Sequence, residues 1–346
     1  MRLNFAAVLL MAVITISAGC KGQHMEKKYN WTGTVSAPEE YPVEVYEGAL
    51  IAPDFTYSFD AIWGTQNTGW GNAGGIMSVE TEAMEAPDSL KFTWLSHVEK
   101  KFYTGSWALD RGRIEKLFND GFTNSLTGKK ETYSLIKVGL APGGRVVVWL
   151  SGTGFQTEVG TFTAKETSIT PETAYESAKY MFNAGFSDRT LADDSIMKPE
   201  IVARIKEDGR PEPRDYDHYR EKYKWRVSFQ AASNVRPDEI FVSYLNGEEE
   251  TLSGAAVSAN VYAARAVPRY LILIWQDADG KKSAVRIDPF DLKETPEAFS
   301  KLGTGAEIDL VVTLNDQKNA ARVILKNESQ QITLQRAKSR ITQIAD

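Results

Sequence analysis

Apolar residues recur at every second position through much of this chain, and that period restricts it to folds built from half-buried strands. Tyr41-Pro42-Val43-Glu44-Val45-Tyr46 alternates, as does Leu90-Lys91-Phe92-Thr93-Trp94. After the turn from Gly139 to Gly144, Val146-Val147-Val148-Trp149 reads as a buried strand. Further strands are predicted from Trp225 to Phe229, Ile240 to Tyr244, Tyr270 to Trp275, Val285 to Ile287, Ile308 to Leu314 and Val323 to Leu325. Helical spacing intrudes at Ile114, Leu117 and Phe118. It returns after Pro171, where Ala174, Ala178, Met181 and Phe182 share a face, and from Met197 to Ile205. Arg210-Pro211-Glu212-Pro213-Arg214 is a rigid polar break.

With 346 residues the chain exceeds what one hydrophobic core usually holds. The expected fold class is mainly β (α+β overall), with two β-rich, sandwich-like modules joined by a short helical segment. The expected divisions are a signal peptide over 1–19, a lipidated tether over 20–37, an N-terminal β-rich module over 38–168, a helical connector over 169–223 and a C-terminal β-rich module over 224–346. An internal repeat is visible. Pro87-Asp88-Ser89-Leu90-Lys91-Phe92-Thr93-Trp94-Leu95 aligns with Pro237-Asp238-Glu239-Ile240-Phe241-Val242-Ser243-Tyr244-Leu245, and Pro142 to Trp149 aligns with Pro268 to Trp275. On that register Trp149 and Trp275 occupy equivalent places.

The N-terminus predicts an address. Arg2 precedes a short apolar run from Leu3 to Ile16, too short to span a bilayer and suited to a secretory signal. The run ends in Ser17-Ala18-Gly19 before Cys20, the one cysteine of the chain, in the manner of a bacterial lipobox with Cys20 as the lipidated residue. Lys21 stands where an inner-membrane retention signal would place Asp, so the expected location is the outer membrane, facing the periplasm, with the membrane reached through a lipid anchor. A lone cysteine forms no internal disulfide, and with three histidines the usual structural zinc sites are excluded. The net charge of −6 argues against nucleic acid as a partner.

Several segments together resemble the uncharacterised bacterial lipoprotein family catalogued as domain of unknown function 2931. They include Phe92-Thr93-Trp94-Leu95-Ser96, Glu99 to Gly105, Val138 to Gly144, Val147 to Gly152 and Tyr219 to Trp225, so the resemblance runs from about residue 35 to the C-terminus. It implies a cell-envelope location and brings no catalytic residues. Some members look like immunity proteins encoded beside type VI secretion lipase effectors. The resemblance therefore implies a cognate toxic effector, a phospholipase, as partner.

The candidate chemistry is sparse. His97 lies two residues before Glu99, where a cross-strand ion pair is the simpler reading than acid–base work. His218, among charged and aromatic neighbours, reads as packed or solvated, and Ser151 near Gly152 and Gly154 lacks the pattern of a nucleophile elbow. Asp277-Ala278-Asp279-Gly280 has two carboxylates of a calcium loop but not the remaining ligands, and reads as a tight turn. Trp63 and Trp70 lie in a Gly-rich stretch, Gly64 to Gly75, that could anchor a partner, stack on sugar or fold over the sheet. The expected partner-binding residues are Trp63 and Trp70, with Asp277 and Asp279 as an acidic rim. No cofactor or metal is expected. The expected function is effector binding without catalysis. The alternatives are a non-catalytic ligand- or glycan-binding outer-membrane lipoprotein and an envelope hydrolase.

Overall fold

The alternating runs do form strands, and the strands form the same arrangement twice. The computed structural model describes residues 27–59, 64–77, 79, 81–125, 127–231, 235–277 and 280–344. The first half begins with β1 (Thr32–Ser36), β2 (Val43–Ile51), β3 (Thr56–Ser58), β4 (Ser89–Ser96) and β5 (Lys101–Ala108). It continues with α1 (Arg111–Asp120), a ribbon of β6 (Phe122–Thr123) and β7 (Lys130–Glu131), then β8 (Leu135–Ala141), β9 (Arg145–Gly152), β10 (Phe155–Thr163) and β11 (Lys165–Thr167). Asp110 caps α1 by accepting from the Arg113 amide at 3.0 Å, and Gly121 ends it. Of the three residues that the spacing puts on its apolar face, Ile114 and Phe118 are buried and Leu117 is half-buried.

A connector follows, made of a 3-10 turn over Glu176–Phe182 and the helices α2 (Phe186–Ala192), α3 (Pro199–Asp208) and α4 (Asp215–His218). The segment after Pro171 thus winds as a 3-10 turn instead of an α-helix, although Ala178 and Met181 are buried as its pattern requires. The second half comprises β12 (Tyr223–Gln230), β13 (Arg236–Tyr244), β14 (Glu249–Ser253), α5 (Ala255–Ala259), β15 (Ala263–Arg265), β16 (Pro268–Gln276) and β17 (Lys282–Ile287). It ends with α6 (Glu294–Leu302), β18 (Glu307–Leu314), β19 (Ala321–Lys326), β20 (Gln331–Thr333) and β21 (Ser339–Gln343).

In the first half one sheet runs β11-β5-β4-β2-β3 and the other β1-β8-β9-β10, with β1 parallel to β8. In the second half β21-β17-β16-β13-β14 repeats the first order and β12-β18-β19-β20 the second, with β12 parallel to β18. The paired sheets and the helix of each half share one apolar core, reaching from Tyr29 to Ala164 in the first and from Tyr223 to Leu334 in the second.

Residue-level marks agree with this correspondence. Tyr29-Asn30-Trp31 and Tyr223-Lys224-Trp225 open the halves. Tyr29 stacks on Phe118 of α1, ring centroids 4.8 Å apart, and Tyr223 packs on Phe299 of α6 at 5.3 Å. The Trp31 indole donates to Glu85 O and the Trp225 indole to Arg265 O and Ala266 O, in each half just ahead of the fourth matching strand, β4 or β16. Trp94 pairs with Val45 beside a bulge in β2, and Trp275 with Pro237 beside a bulge in β13. The buried N–H groups of both Trp94 and Trp275 have no hydrogen-bond partner.

The duplication therefore stands in a different register from the one read in sequence. Trp275 corresponds to Trp94 and not to Trp149, because β16 matches β4 whereas β9 matches β19. A proline before a strand and a tryptophan at its end are common enough to align unrelated strands. The expected tether also ends early: Trp31 and Val35 are fully buried, so the chain from Tyr29 onward belongs to the first core. The signal peptide and Cys20 lie outside the described residues.

Candidate functional site

The halves meet edge to edge. β10 of the first pairs with β14 of the second at Gln156 and Glu249, which merges two sheets into one of nine strands. Around this join the Gly-rich loop, the connector and the second half converge. Trp70 is 8% exposed, its ring set edge-on to Trp149 at 4.9 Å and to Tyr216 of α4 at 5.3 Å. Gly139 makes room for this cluster, since a Cβ there would lie 2.4 Å from the Trp149 ring and 2.8 Å from that of Trp70. The Trp149 indole donates to Asn246 O at 3.1 Å, tying β9 of the first half to the turn before β14.

Polar bonds complete the join. Arg269 at the start of β16 donates to Trp70 O at 2.6 Å and to Asn72 Oδ1 and Ser243 Oγ at 3.1 Å. Lys137 donates to Gly71 O at 3.0 Å, and Gln156 Nε2 donates to Gly71 O and Gly247 O. Burial holds the Lys137 ammonium below its ordinary value, against the opposing pull of Glu249, and burial likewise holds the Glu249 carboxyl above its own.

Two adjoining cavities of about 410 and 470 Å³ open beside this join. Glu40, Arg204, Asp208, Pro211, Tyr219, Leu245, Asp291 and Leu292 line both; Trp70, Tyr216, Arg269 and Tyr270 line the larger. Arg204 of α3 reaches Glu39 at 2.8 Å and Glu40 at 2.7 Å, and the Tyr41 hydroxyl donates to Pro211 O at 2.7 Å, so the connector is fastened to the first half along the rim. Tyr270 carries the guanidinium groups of Arg286 and Arg269 against its ring, 4.9 and 5.6 Å from the centroid. The result is a concave surface of tyrosine, tryptophan and arginine built from three separate stretches of chain.

A second polar cluster lies under the connector. His97 is fully buried, with Nδ1 3.3 Å from Ser187 Oγ and Nε2 3.6 Å from Glu44 Oε2. Glu44 also accepts from the Tyr180 hydroxyl at 2.6 Å and from Thr65 Oγ1 at 3.0 Å. Serine, histidine and carboxylate follow one another here as in an acyl-transfer site. The 3.6 Å gap is too long for the hydrogen bond that would orient the imidazole, and Phe186 covers the ring, centroids 5.2 Å apart. As placed, the cluster clamps the connector to the sheet of β2 and β4. Glu99, read in sequence as the partner of His97, instead accepts from Ser96, Tyr103 and the Gly143 amide. His218 faces Glu221 on the surface at 2.8 Å.

The residues expected to bind a partner do not converge. Trp70 lies at the join with its ring already packed, whereas Asp277 follows the far end of β16, about 23 Å from Arg269 at 3.3 Å per strand residue. Asp277 pairs with Lys318 and opens a turn closed by Gly280 at φ +84°. Trp63 and Asp279 lie outside the described residues. Sequence reasoning missed Glu40, Arg204, Tyr216 and Tyr219. Among the described residues no group of three or more His, Cys, Asp or Glu is placed to hold a metal ion.

No curated protein matches the sequence. One family does, over residues 20–212, a stretch that takes in the first half, the connector as far as Glu212, and the Glu40, Trp70 and Arg204 side of the cleft. The chain belongs to the family described as Protein of unknown function (DUF2931).

Proposed function

We propose that the protein is a non-catalytic binding protein of the cell envelope, anchored through a lipid on Cys20 at the outer membrane and facing the periplasm, which neutralises an exported phospholipase effector. The observation that carries the binding reading is the cleft at the join of the two halves. Its lining of Trp70, Tyr216, Tyr219, Tyr270, Arg204 and Arg269 has the composition of interface anchors, and its walls are strands and helices held by ion pairs. The nature of the effector rests on the family resemblance. Glycan stacking on Trp70 has less support, because Trp149 and Tyr216 already occupy its ring.

An inhibitor acting at low effector concentration needs nanomolar affinity, about −12 kcal/mol, over an interface on the order of 1,600 Å². Deleting the gene should make cells sensitive to sister cells that deliver the effector, and supplying the gene in trans should restore protection. Full resistance of the deletion strain to an effector that kills unrelated strains rules this reading out.

A further inference from the structure

Where the two cavities meet, three side-chain oxygens have no hydrogen-bond partner among the described residues. Tyr216 is 2% exposed, its ring held edge-on by Trp70 at 5.3 Å and Tyr219 at 5.4 Å. Among the described residues nothing bonds its hydroxyl, and that oxygen is not one of the fully enclosed unpaired atoms, so it opens on the cavity Tyr216 lines. The Tyr219 hydroxyl is likewise unbonded, and Tyr219 lines both cavities. Glu40 is 8% exposed; its Oε1 accepts twice from Arg204, at 3.0 and 2.7 Å, while Oε2 accepts nothing. Buried polar groups are as a rule hydrogen-bonded, so the free oxygens of buried Tyr216 and Glu40, with the hydroxyl of half-buried Tyr219 near them, mark a seat for a guest.

The charges say which guest. Eight carboxylates and five Arg or Lys side chains line the two cavities, and all five cations are already engaged. Arg204 is held by Glu39 and Glu40, Arg286 by Asp288, Arg269 by Trp70 O, Arg210 by Glu40 O and Lys293 by Asp208 O. Arg336 reaches Asp208 and Asp291 from outside the lining, and the surplus remains negative. Burial, and after it the Glu40 carboxylate, push the Tyr216 phenol well above its ordinary value, so a guest meets a neutral hydroxyl beside a carboxylate. The cleft thus has a carboxylate oxygen, two hydroxyls able to accept, and aromatic rings left to offer, under a surplus of negative charge. A planar guanidinium, all donors and no acceptor, fits such a seat.

We infer that the cleft seats an arginine side chain of the protein partner, with Glu40 Oε2 and the Tyr216 and Tyr219 hydroxyls as its acceptors. This rests on the partner-binding reading above and adds the chemistry of the residue recognised.

The test uses the full mature chain and a fluorescent tetra-arginine peptide, followed by anisotropy at low ionic strength, with tetra-citrulline as the uncharged isostere. A tenfold or greater preference for arginine is expected. An acidic protein attracts basic peptides anywhere on its surface, so the deciding variant is Tyr216→Phe with Tyr219→Phe, which leaves net charge unchanged. Neither hydroxyl has a partner to lose, so its Tm should hold while tetra-arginine binding weakens at least fivefold. Should the double variant melt lower, Tyr219→Phe alone carries the comparison with a twofold or greater loss. Equal binding of the two peptides, or phenylalanine variants that bind like the parent, overturns the inference. Displacement of the peptide by micromolar spermidine overturns the side-chain assignment in favour of a free polyamine. None of these measurements involves the effector, so the inference can fail while the deletion phenotype stands, and the reverse.

Discussion

Replacing Gly247 with alanine tests whether the join of the halves is as tight as its geometry implies. Gly247 sits at φ +86°, where a side chain is strained whatever the space, and an added Cβ would lie 2.7 Å from Cζ2 and 2.9 Å from Cε2 of Trp149. The indole has little room to yield. Its N–H is bonded to Asn246 O, Trp70 packs on it edge-on, and its far edge fills the space left by Gly139. The left-handed backbone costs roughly 1–2 kcal/mol for an L-residue. Overpacking a closed site adds about 1–3 kcal/mol, so Gly247→Ala should destabilise by about 2–5 kcal/mol in total. Gly280→Ala separates the two contributions. It has nearly the same φ, +84°, but its Cβ would meet nothing closer than the Gln276 amide at 3.8 Å, so it bears the strain alone. Urea unfolding of both variants, followed by tryptophan fluorescence, should place Gly247→Ala below Gly280→Ala by about 1–3 kcal/mol, the overpacking share. Equal losses for the two glycines would show that Trp149 moves aside freely and that the join is loose.

Four of the fully buried tryptophans should divide by their N–H bonds. Trp149→Phe and Trp225→Phe leave buried carbonyls unpaired and should cost about 1–3 kcal/mol more than Trp94→Phe and Trp275→Phe, whose N–H groups have no partner to lose; the same urea titrations decide it. Although burial alone raises it, the Asp309 carboxyl is held below its ordinary 3.8 by hydrogen bonds from Arg226, Ser228 and Tyr262. Its contribution to stability is therefore present above pH 3.8 and lost as pH falls through the lowered value. Asp309→Asn should flatten that acid limb, and urea midpoints that fall with acid as steeply as in the parent would count against the bonding. Cys20→Ser should abolish fatty-acid labelling and shift the protein from the membrane to the soluble periplasmic fraction, since stable anchoring takes more than one acyl chain; unchanged partition argues against lipidation.

Strands were legible in sequence where apolar residues alternate or run unbroken, and not at β5 or β10, where burial is mixed. The alternation at Leu90 to Trp94 became β4, and the unbroken apolar run at Val146 to Trp149 became β9, buried on both faces. The helix at Ile114 and Phe118 was legible for the same reason, since its apolar stripe has nowhere else to go. The repeat was visible but misaligned. The better signal was shorter and lay outside the strands' periodicity: Tyr-x-Trp at Tyr29 and again at Tyr223, where each tryptophan must find a carbonyl for its N–H and each tyrosine a phenylalanine on the crossing helix. Trp70 was singled out for its ring, and the structure spends that ring on Trp149 and Tyr216. Asp277 was singled out for its charge, and Lys318 takes it. Glu40, Tyr216 and Tyr219 gave no signal because what distinguishes them is one free oxygen each, a property that exists only once residues distant in sequence are brought to one place.

The way the halves are joined explains why a site arises between them. Two copies related by a two-fold axis would present the same surface to each other. Here the join is head to tail: the first half offers the β10 edge of its second sheet, the second half the β14 edge of its first. The surfaces that meet are therefore different, with Trp149 and Gln156 on one side and Asn246, Gly247 and Arg269 on the other. Different surfaces need not close on each other along their whole length. At the join they touch closely enough that Gly71 and Gly247 leave no room for a Cβ; beside it they part, and the connector lays Arg204, Tyr216 and Tyr219 along the gap. The family match ends at residue 212, short of Tyr216, Tyr219, Arg269 and Asp291. The matched stretch holds Glu40, Trp70 and Arg204 but cannot form the cleft by itself, because the opposite wall and both free hydroxyls come from the chain beyond it. A ligand in the cleft would therefore meet both halves and the connector together.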